Sequence, residues 1–234
     1  MTKQTNRGKE AKDDLFFNQE AKSIFKEALQ DLNYLLTRAY SPKNALHTVG
    51  TRYRLSQRQI KALQGMGASE QYLDKVKITQ CDIDQLQANT IVIDGFNVLI
   101  LLESLFSGAY LFQGADGCYR DLSSVHGTYK KVSQTPIAIQ RIVDFHKVVG
   151  IKEIIWIFDK PVSNSGRIKK MLEETASQEN LTWTIRLEDK ADDTIIKQTG
   201  IIISSDAYIL ENAAKWFNLI AFLIESKGFK ANVF

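Results

Sequence analysis

Two different hydrophobic periodicities divide the chain. In its first third, Phe16, Ile24, Phe25, Ala28, Leu29, Leu32, Leu35 and Leu36 recur at steps of three and four residues, the spacing of an amphipathic helix. Ser41-Pro42 supplies a stop, or a cap with proline at the first helical position, and a short helix follows over 43–49. Ser56 is a good N-cap for a helix over 57–64, which Gly65 and Gly67 would end, and another helical piece covers 69–76. Beyond residue 88 the pattern changes to short runs that are apolar on both faces: 91–93, 154–158, 201–203 and 219–223. Helix-length segments separate them, at 96–106, 136–149, 166–179, 192–199 and 207–217. Such alternation predicts parallel strands covered by helices on both sides. The Gly-, Ser- and Tyr-rich stretch 110–134 reads as a hairpin and loop inserted after the first of these helices. The expected architecture is therefore a small all-α domain over 1–88 followed by an α/β domain over 89–234.

Charge sharpens that division. Residues 1–88 hold 14 Lys/Arg and 10 Asp/Glu, whereas 89–234 hold 16 and 17, and 32–69 contain six basic residues and no acid. The whole-chain charge of +3 selects no partner class. Two cysteines and three histidines rule out a disulfide-stapled scaffold and a Cys-rich zinc fold. The polar amino terminus has no apolar signal core, and no apolar run approaches the ~18 residues that span a bilayer, so a cytoplasmic protein without membrane attachment is expected.

The candidate chemistry stands at the strand ends. The run 91–93 is followed by Asp94-Gly95-Phe96-Asn97, Phe158 by Asp159, and Ile203 by Ser204-Ser205-Asp206, while Asp192-Asp193 opens a predicted helix. Parallel strands deliver such residues to the carboxyl edge, where open α/β sheets bind ligands. Gathered carboxylates repel one another and carry a desolvation cost, which a cation offsets; hard oxygen donors select Mg²⁺ or Mn²⁺. Phosphoryl transfer and phosphodiester hydrolysis suit such a site, because a metal there activates water and offsets charge on the leaving oxygen. Each aspartate taken alone reads equally well as a helix cap. Gly95 is expected to permit a tight strand-to-helix turn, and Asn97 either bonds backbone within that turn or orients Asp94 or a metal-bound water. Substrate contacts are expected from Arg52, Arg54 and Arg58, with Tyr40 and Tyr53 interleaved, and from Arg120 and the SNSG segment with Ser163 and Ser165. The alternative readings are a solvated basic surface or an interface with the acidic half of the chain for the first group, an internal salt bridge near Asp121 for Arg120, and a capped helix start for the SNSG segment.

The segments IVIDGFNVLI (91–100), IWIFD (155–159), KADDTI (190–195) and IIISSDAYIL (201–210) together resemble the NYN branch of PIN-like nucleases, in its bacterial subset. The whole chain is also similar to a family of uncharacterised prokaryotic proteins that put an N-terminal helical domain before such a unit. The resemblance implies a three-layer PIN-like domain with a central parallel sheet and Mg²⁺- or Mn²⁺-dependent cleavage of RNA, single-stranded for preference. It implies Asp94, Asp159, Asp192 and Asp206 as the catalytic and metal-binding set, with Asn97 in support, Asp193 as an alternative ligand, and Ser205 beside the substrate. The acid that many such enzymes carry on an intervening helix has three candidates here, Glu103, Asp116 and Asp121. His126 and His146 are expected to be structural. The competing expectations are an inactive RNA- or protein-binding module of the same fold and a metal-dependent phosphatase or nucleotide hydrolase. The helical domain could also dock a partner protein or a second copy of the chain.

Overall fold

A computed structural model describes residues 10–123 and 129–234. The helical front consists of α1 (Asp13–Phe16), α2 (Gln19–Thr37), α3 (Pro42–Arg52), α4 (Gln57–Met66) and α5 (Glu70–Thr79). Its boundaries follow from local chemistry. Asn18, Ser41, Ser56 and Ser69 each accept a backbone N–H at the start of α2, α3, α4 and α5, and Pro42 occupies the first turn of α3. Gln59 completes a capping box with Ser56.

The second part runs β1 (Thr90–Asp94), α6 (Gly95–Phe106), β2 (Tyr110–Gln113), β3 (Tyr119–Arg120), α7 (Thr135–Val149), β4 (Glu153–Asp159), α8 (Ser165–Glu179), β5 (Trp183–Glu188), α9 (Ala191–Ile195), β6 (Ile201–Ile203), α10 (Ala207–Asn212), α11 (Leu219–Lys227) and β7 (Asn232–Val233). Four strands form a parallel sheet in the order β5-β4-β1-β6, with Val92 paired to Ile155 on one side and Ile202 on the other. Side chains alternate between its faces as the strand period requires. Ile91, Ile93, Ile154, Trp156, Phe158, Ile201 and Ile203 join a core built with α6, α7, α8 and α11. Val92, Ile155, Ile157 and Ile202 join a second core with α9, α10 and Trp216. The result is a mixed α/β fold with a parallel sheet, as the two-faced apolar runs predict. Among the described residues, no helix is long and apolar enough to cross a membrane.

The run 219–223 is not the expected strand but the start of α11. Asn218 accepts from Ala221 N at 3.2 Å, and Leu219, Ile220 and Leu223 bury one helical face. A five-residue apolar run suits a buried helix as well as a strand, and here the capping asparagine decides. The place beside β6 is taken by the preceding residues: Ile202 N donates to Lys215 O, and Phe217 N donates to Ile202 O at 2.8 Å. The other edge of the sheet is β5, whose polar Thr184, Arg186 and Glu188 hid it from the apolar-run criterion. The helices expected over 192–199 and 207–217 are shorter, ending at Ile195 and Asn212.

The 110–134 insertion does contain a hairpin, with β2 antiparallel to β3 and also parallel to β7; residues 124–128 of it, including His126, lie outside the described residues. This small sheet packs on the helical front. Phe112, Leu122 and Phe234 share a core with Phe17, Phe25, Leu32 and Leu63, and the Phe17 ring lies 4.7 Å from that of Phe112 and 5.2 Å from that of Phe234.

Gly95 is required for space rather than for conformation, since its φ is not positive. A Cβ there would stand 2.4–2.5 Å from atoms of the Phe158 ring, which is itself fixed against Phe96 and Trp156. Gly95→Ala should therefore lower stability by about 1–3 kcal/mol through overpacking, read as a lower urea midpoint. An unchanged midpoint would show that the ring gives way freely.

Candidate functional site

Parallel strands place their carboxyl ends together, and Asp94 (end of β1), Asp159 (end of β4) and Asp206 (three residues past β6) stand at that edge. Asp192, in the first turn of α9, joins them. The Asp94 carboxyl feels the charges of Asp206, Asp192 and Asp159, and Asp192 feels those of Asp206, Asp159 and Asp193. Among the described residues, however, no group of three or more His, Cys, Asp or Glu side chains stands close enough together to hold a metal ion.

The capping alternative separates these acids. Asp206 does cap: its Oδ1 accepts from Tyr208 N at 2.9 Å and Ile209 N at 3.2 Å, at the start of α10. Asp94 occupies the N-cap position of α6 but its side chain accepts no N–H from that helix. It accepts instead from Ser204 Oγ at 2.7 Å, and the same Oγ accepts from Asp206 N at 3.0 Å. Asp192 lies inside α9 and caps nothing at its start. Asp193 is half-buried beside it, 3.5 Å from the Tyr208 hydroxyl. Burial pushes the Asp94 carboxyl up to about 7, with the hydroxyl of Ser204 opposing the rise and the three neighbouring acids adding to it. Partial desolvation also raises the half-buried Asp159, and it raises the more exposed Asp192 with help from Asp206.

Beside this edge opens a cleft of about 390 Å³, between α4 and the strand ends. Lys61, Gln64 and Gly65 line it from the helical front, and Asn97, Ser205, Asp206, Arg120 and Asp121 from the α/β side. Its floor is held rigidly. Asn97 Oδ1 accepts from Ser205 N at 2.9 Å, so Asn97 bonds backbone as expected, though on another strand's loop rather than in its own turn. Arg120 Nε donates to Ser205 O at 2.9 Å. The Ser205 peptide is thus gripped from both sides. The other end of the Arg120 guanidinium makes a two-pronged pair with Asp116, whose side chain is only 2% exposed and also accepts from the Tyr72 hydroxyl and Cys118 N. That guanidinium holds the Asp116 carboxyl below its ordinary range despite burial. Gly114 is part of the same arrangement, because a Cβ there would meet Arg120 Nη1 at 2.4 Å and Asp116 Oδ1 at 2.6 Å.

Several expected site residues lie elsewhere. Arg58 pairs with the fully buried Asp13 and with Glu10, because a buried carboxylate needs a cationic partner; it is structural and does not line the cleft. Arg52 is exposed, 3.3 Å from Asp31 and stacked on Tyr53, and Arg54 is exposed in a left-handed turn (φ 51°) just after α3. Neither lines the cleft. Arg120 is a positioning residue, since its guanidinium is committed to Asp116 and Ser205. Glu103 sits nine residues beyond Asp94 along α6, roughly 13 Å of helix rise. It is fully buried and accepts from Tyr129 and Thr135 at the contact with α7, too far to share a cation with Asp94. Asp116 belongs to Arg120, and Asp121 accepts from Ser104 at the cleft wall. Ser163 accepts at its backbone oxygen from Tyr129 N, and Ser165 is buried with its Oγ on Lys160 O. His146 is buried and accepts from Trp183 Nε1, a structural role. The sequence reading assigned no role to Ser204, although a hydroxyl directly before a strand-end Ser-Asp was the signal available.

The profile of a family described as "Domain of unknown function (DUF5616)" matches residues 83–222. The chain belongs to this family. A second profile, described as "Protein of unknown function (DUF434)", matches residues 24–78. An uncharacterized protein of Methanocaldococcus jannaschii is 31% identical over 205 residues, covering 85% of this chain and 96% of that protein. No solved structure matches.

The raised Asp94 carboxyl carries a stability signature. Between its unfolded value of ~3.9 and about 7, the folded state keeps a proton that the unfolded chain has released, so this group lowers stability as pH climbs through that window. Asp94→Asn removes the penalty. In chelator-containing buffer its urea-derived stability relative to wild type should rise by at least about 1 kcal/mol from pH 5 to pH 8. A constant difference across that range would mean that Asp94 is already ionised without cost. Arg120→Ala leaves Asp116 buried and uncompensated and should lower stability by about 3–5 kcal/mol in the same assay.

Proposed function

We propose that the protein is a metal-dependent ribonuclease of the PIN-like, NYN type, cutting single-stranded RNA at the carboxyl edge of its parallel sheet. One observation carries the reading: Asp94, a buried acid at a helix start, makes no cap and is held instead among three other acids at an energetic cost. A fold retains such a group where function uses it. The cation is Mg²⁺ or Mn²⁺; Mg²⁺ keeps several of its own waters and takes one or two carboxylates directly, which suits acids that are near one another without forming a closed cage. Asp94 with one of Asp159 and Asp192 would hold it directly, and the remaining acids, Asp193 among them, would act through its waters. Bound there, it would lower the pKa of the attacking water and offset charge on the phosphodiester.

The chain's own residues do the rest. Ser204 keeps Asp94 aimed by donating to one carboxylate oxygen, which leaves the other for the cation. Asn97 and Arg120 hold the Ser205 peptide and, through it, the position of Asp206. Lys61, whose Nζ donates to Leu122 O at 3.0 Å, carries positive charge on the opposite wall of the cleft, where it would add to the attraction of the RNA backbone. The capping role of Asp206 favours a second reading, in which the same fold serves as a non-catalytic RNA- or protein-binding module, with the helical front docking a partner or a second copy.

The test uses the full chain with labelled single-stranded RNA. Mn²⁺ should raise the melting temperature of wild type and support cleavage, and Asp94→Asn should lose at least 100-fold of the cleavage together with the thermal shift. Metal-independent cleavage, or cleavage equal in Asp94→Asn, would overturn the nuclease reading. RNA binding without a metal response would establish the binding module.

A further inference from the structure

The cleft between α4 and the strand ends carries polar groups that the acid edge does not use. Its volume of about 390 Å³ lies within the ~300–1,000 Å³ of small-molecule pockets. Asn97 takes Ser205 N and Arg120 takes Ser205 O, so the backbone that carries the Ser205 side chain is fixed on both sides. Ser205 is only 5% exposed and lines the cleft, yet among the described residues its Oγ has no hydrogen-bond partner. A nearly buried hydroxyl is ordinarily paired, so one left over beside a cavity points to an occupant. Two further lining residues hold spare capacity. Asn97 Oδ1 is spent on Ser205 N, which leaves Nδ2 as a donor in a fixed place, without a partner among the described residues. Gln64 lines the cleft from α4, and neither of its amide atoms is paired among the described residues.

The rest of the lining selects the kind of group that enters. Lys61 and Arg120 are matched in charge by Asp121 and Asp206, and Arg120 is already committed to Asp116 and Ser205. No net charge calls for an anion inside the cleft, and its two carboxylates would repel one. Leu101 and Tyr119, both buried, contribute apolar surface to the same space. A neutral, flat group with apolar faces and hydrogen-bonding edges meets all of these conditions, and a nucleobase is such a group.

We propose that the cleft is a nucleobase pocket, in which Ser205 Oγ and Asn97 Nδ2 donate to the edge of the base and Gln64 supplies an adaptable amide from the facing helix. Asp206 belongs both to the cleft lining and to the acids around Asp94. A base seated here therefore brings its attached phosphate towards the acid edge. That consequence rests on the nuclease reading, whereas base binding does not. An RNA strand and a free nucleotide offer the same base chemistry, and the probes below separate them.

The experiment is an NMR titration of the full chain, in chelator, with the 5′-monophosphates of uridine, cytidine, adenosine and guanosine, and with ribose 5-phosphate as the control that lacks a base. The variants are Ser205→Ala and Ser205→Ala/Gln64→Ala. Ser205→Ala keeps the backbone N and O that Asn97 and Arg120 hold and removes an unpaired hydroxyl, so its melting temperature should equal or exceed that of wild type. Gln64 is exposed, and its replacement should leave the melt unchanged. Saturable shifts of the Asn97 side-chain amide with at least one nucleotide, absent with ribose 5-phosphate, are expected, with affinity at least tenfold weaker in the double variant. Equal shifts with ribose 5-phosphate, no saturable shift with any nucleotide, or equal affinity in the double variant would overturn the pocket. The same proteins are then titrated with a short single-stranded oligoribonucleotide. Binding at least tenfold tighter than that of any mononucleotide, and weakened in the double variant, assigns the base to an RNA strand; equal or weaker binding assigns it to a free nucleotide. Base binding in a protein that never cleaves RNA with Mn²⁺ would leave the pocket standing and remove the nuclease reading. Metal-dependent cleavage without the Asn97 shifts would do the reverse.

Discussion

Because β1 hydrogen-bonds to β4 on one side and β6 on the other, both in parallel, the chain leaves all three strands at one edge of the sheet. The faces of these three strands are closed by apolar side chains, so the polar groups they carry stand at strand ends, the aspartates at the carboxyl edge. Asp94 is the sharpest case. It ends the central strand, has neighbours on either side, and is buried with a single hydroxyl donor, Ser204, for company. The direction of strand pairing thus determines which residues meet, and burial at the centre determines how strained their ionisation is.

The hairpin insertion turns this edge into a cleft. It would be a loop on the periphery but for Arg120, whose guanidinium reaches Asp116 within the hairpin and Ser205 beyond β6. Tyr72 joins the same carboxylate from α5. One buried charge pair therefore links the helical front, the insertion and the acid-bearing loop. Such pairs are weak evidence of net stability, since replacing both partners by apolar groups often costs nothing. Their value here is geometric: an apolar substitute would not hold the Ser205 peptide in place. The sum is a wall on which Lys61 and Asp206 face the same space from different parts of the chain.

Much of this was legible beforehand, for identifiable reasons. Runs such as Ile91-Val92-Ile93-Asp94 announce both a doubly covered strand and a polar residue at its end, so the four acids could be named and ordered. The helix starts were legible because Ser56 and Ser69 cap through local bonds. What escaped depends on partners distant in sequence. Arg58 looked available because its partner, Asp13, lies 45 residues away. Glu103 looked like a ligand because helix rise separates it from Asp94 by more than its sequence position suggests. Gly95 looked conformational because nothing local reveals the Phe158 ring above it. The run 219–223 is ambiguous by composition alone, and β5 escaped because, as an outer strand of the sheet, it buries Ile185 on one face and leaves Arg186 exposed on the other.

The core of the helical front is not assembled from that front alone. Phe17, Phe25 and Leu63 close around Phe112 from the hairpin and Phe234 from the segment that pairs through β7 with β2. During synthesis the helices emerge first, yet their apolar faces wait for rings supplied by the far end of the sequence. For that interval the nascent chain carries a sticky, incomplete helical surface, and such surfaces are what chaperones engage. Once closed, the same interlock ties α2 to the segment around Phe234, so the two share one core although they lie far apart in sequence.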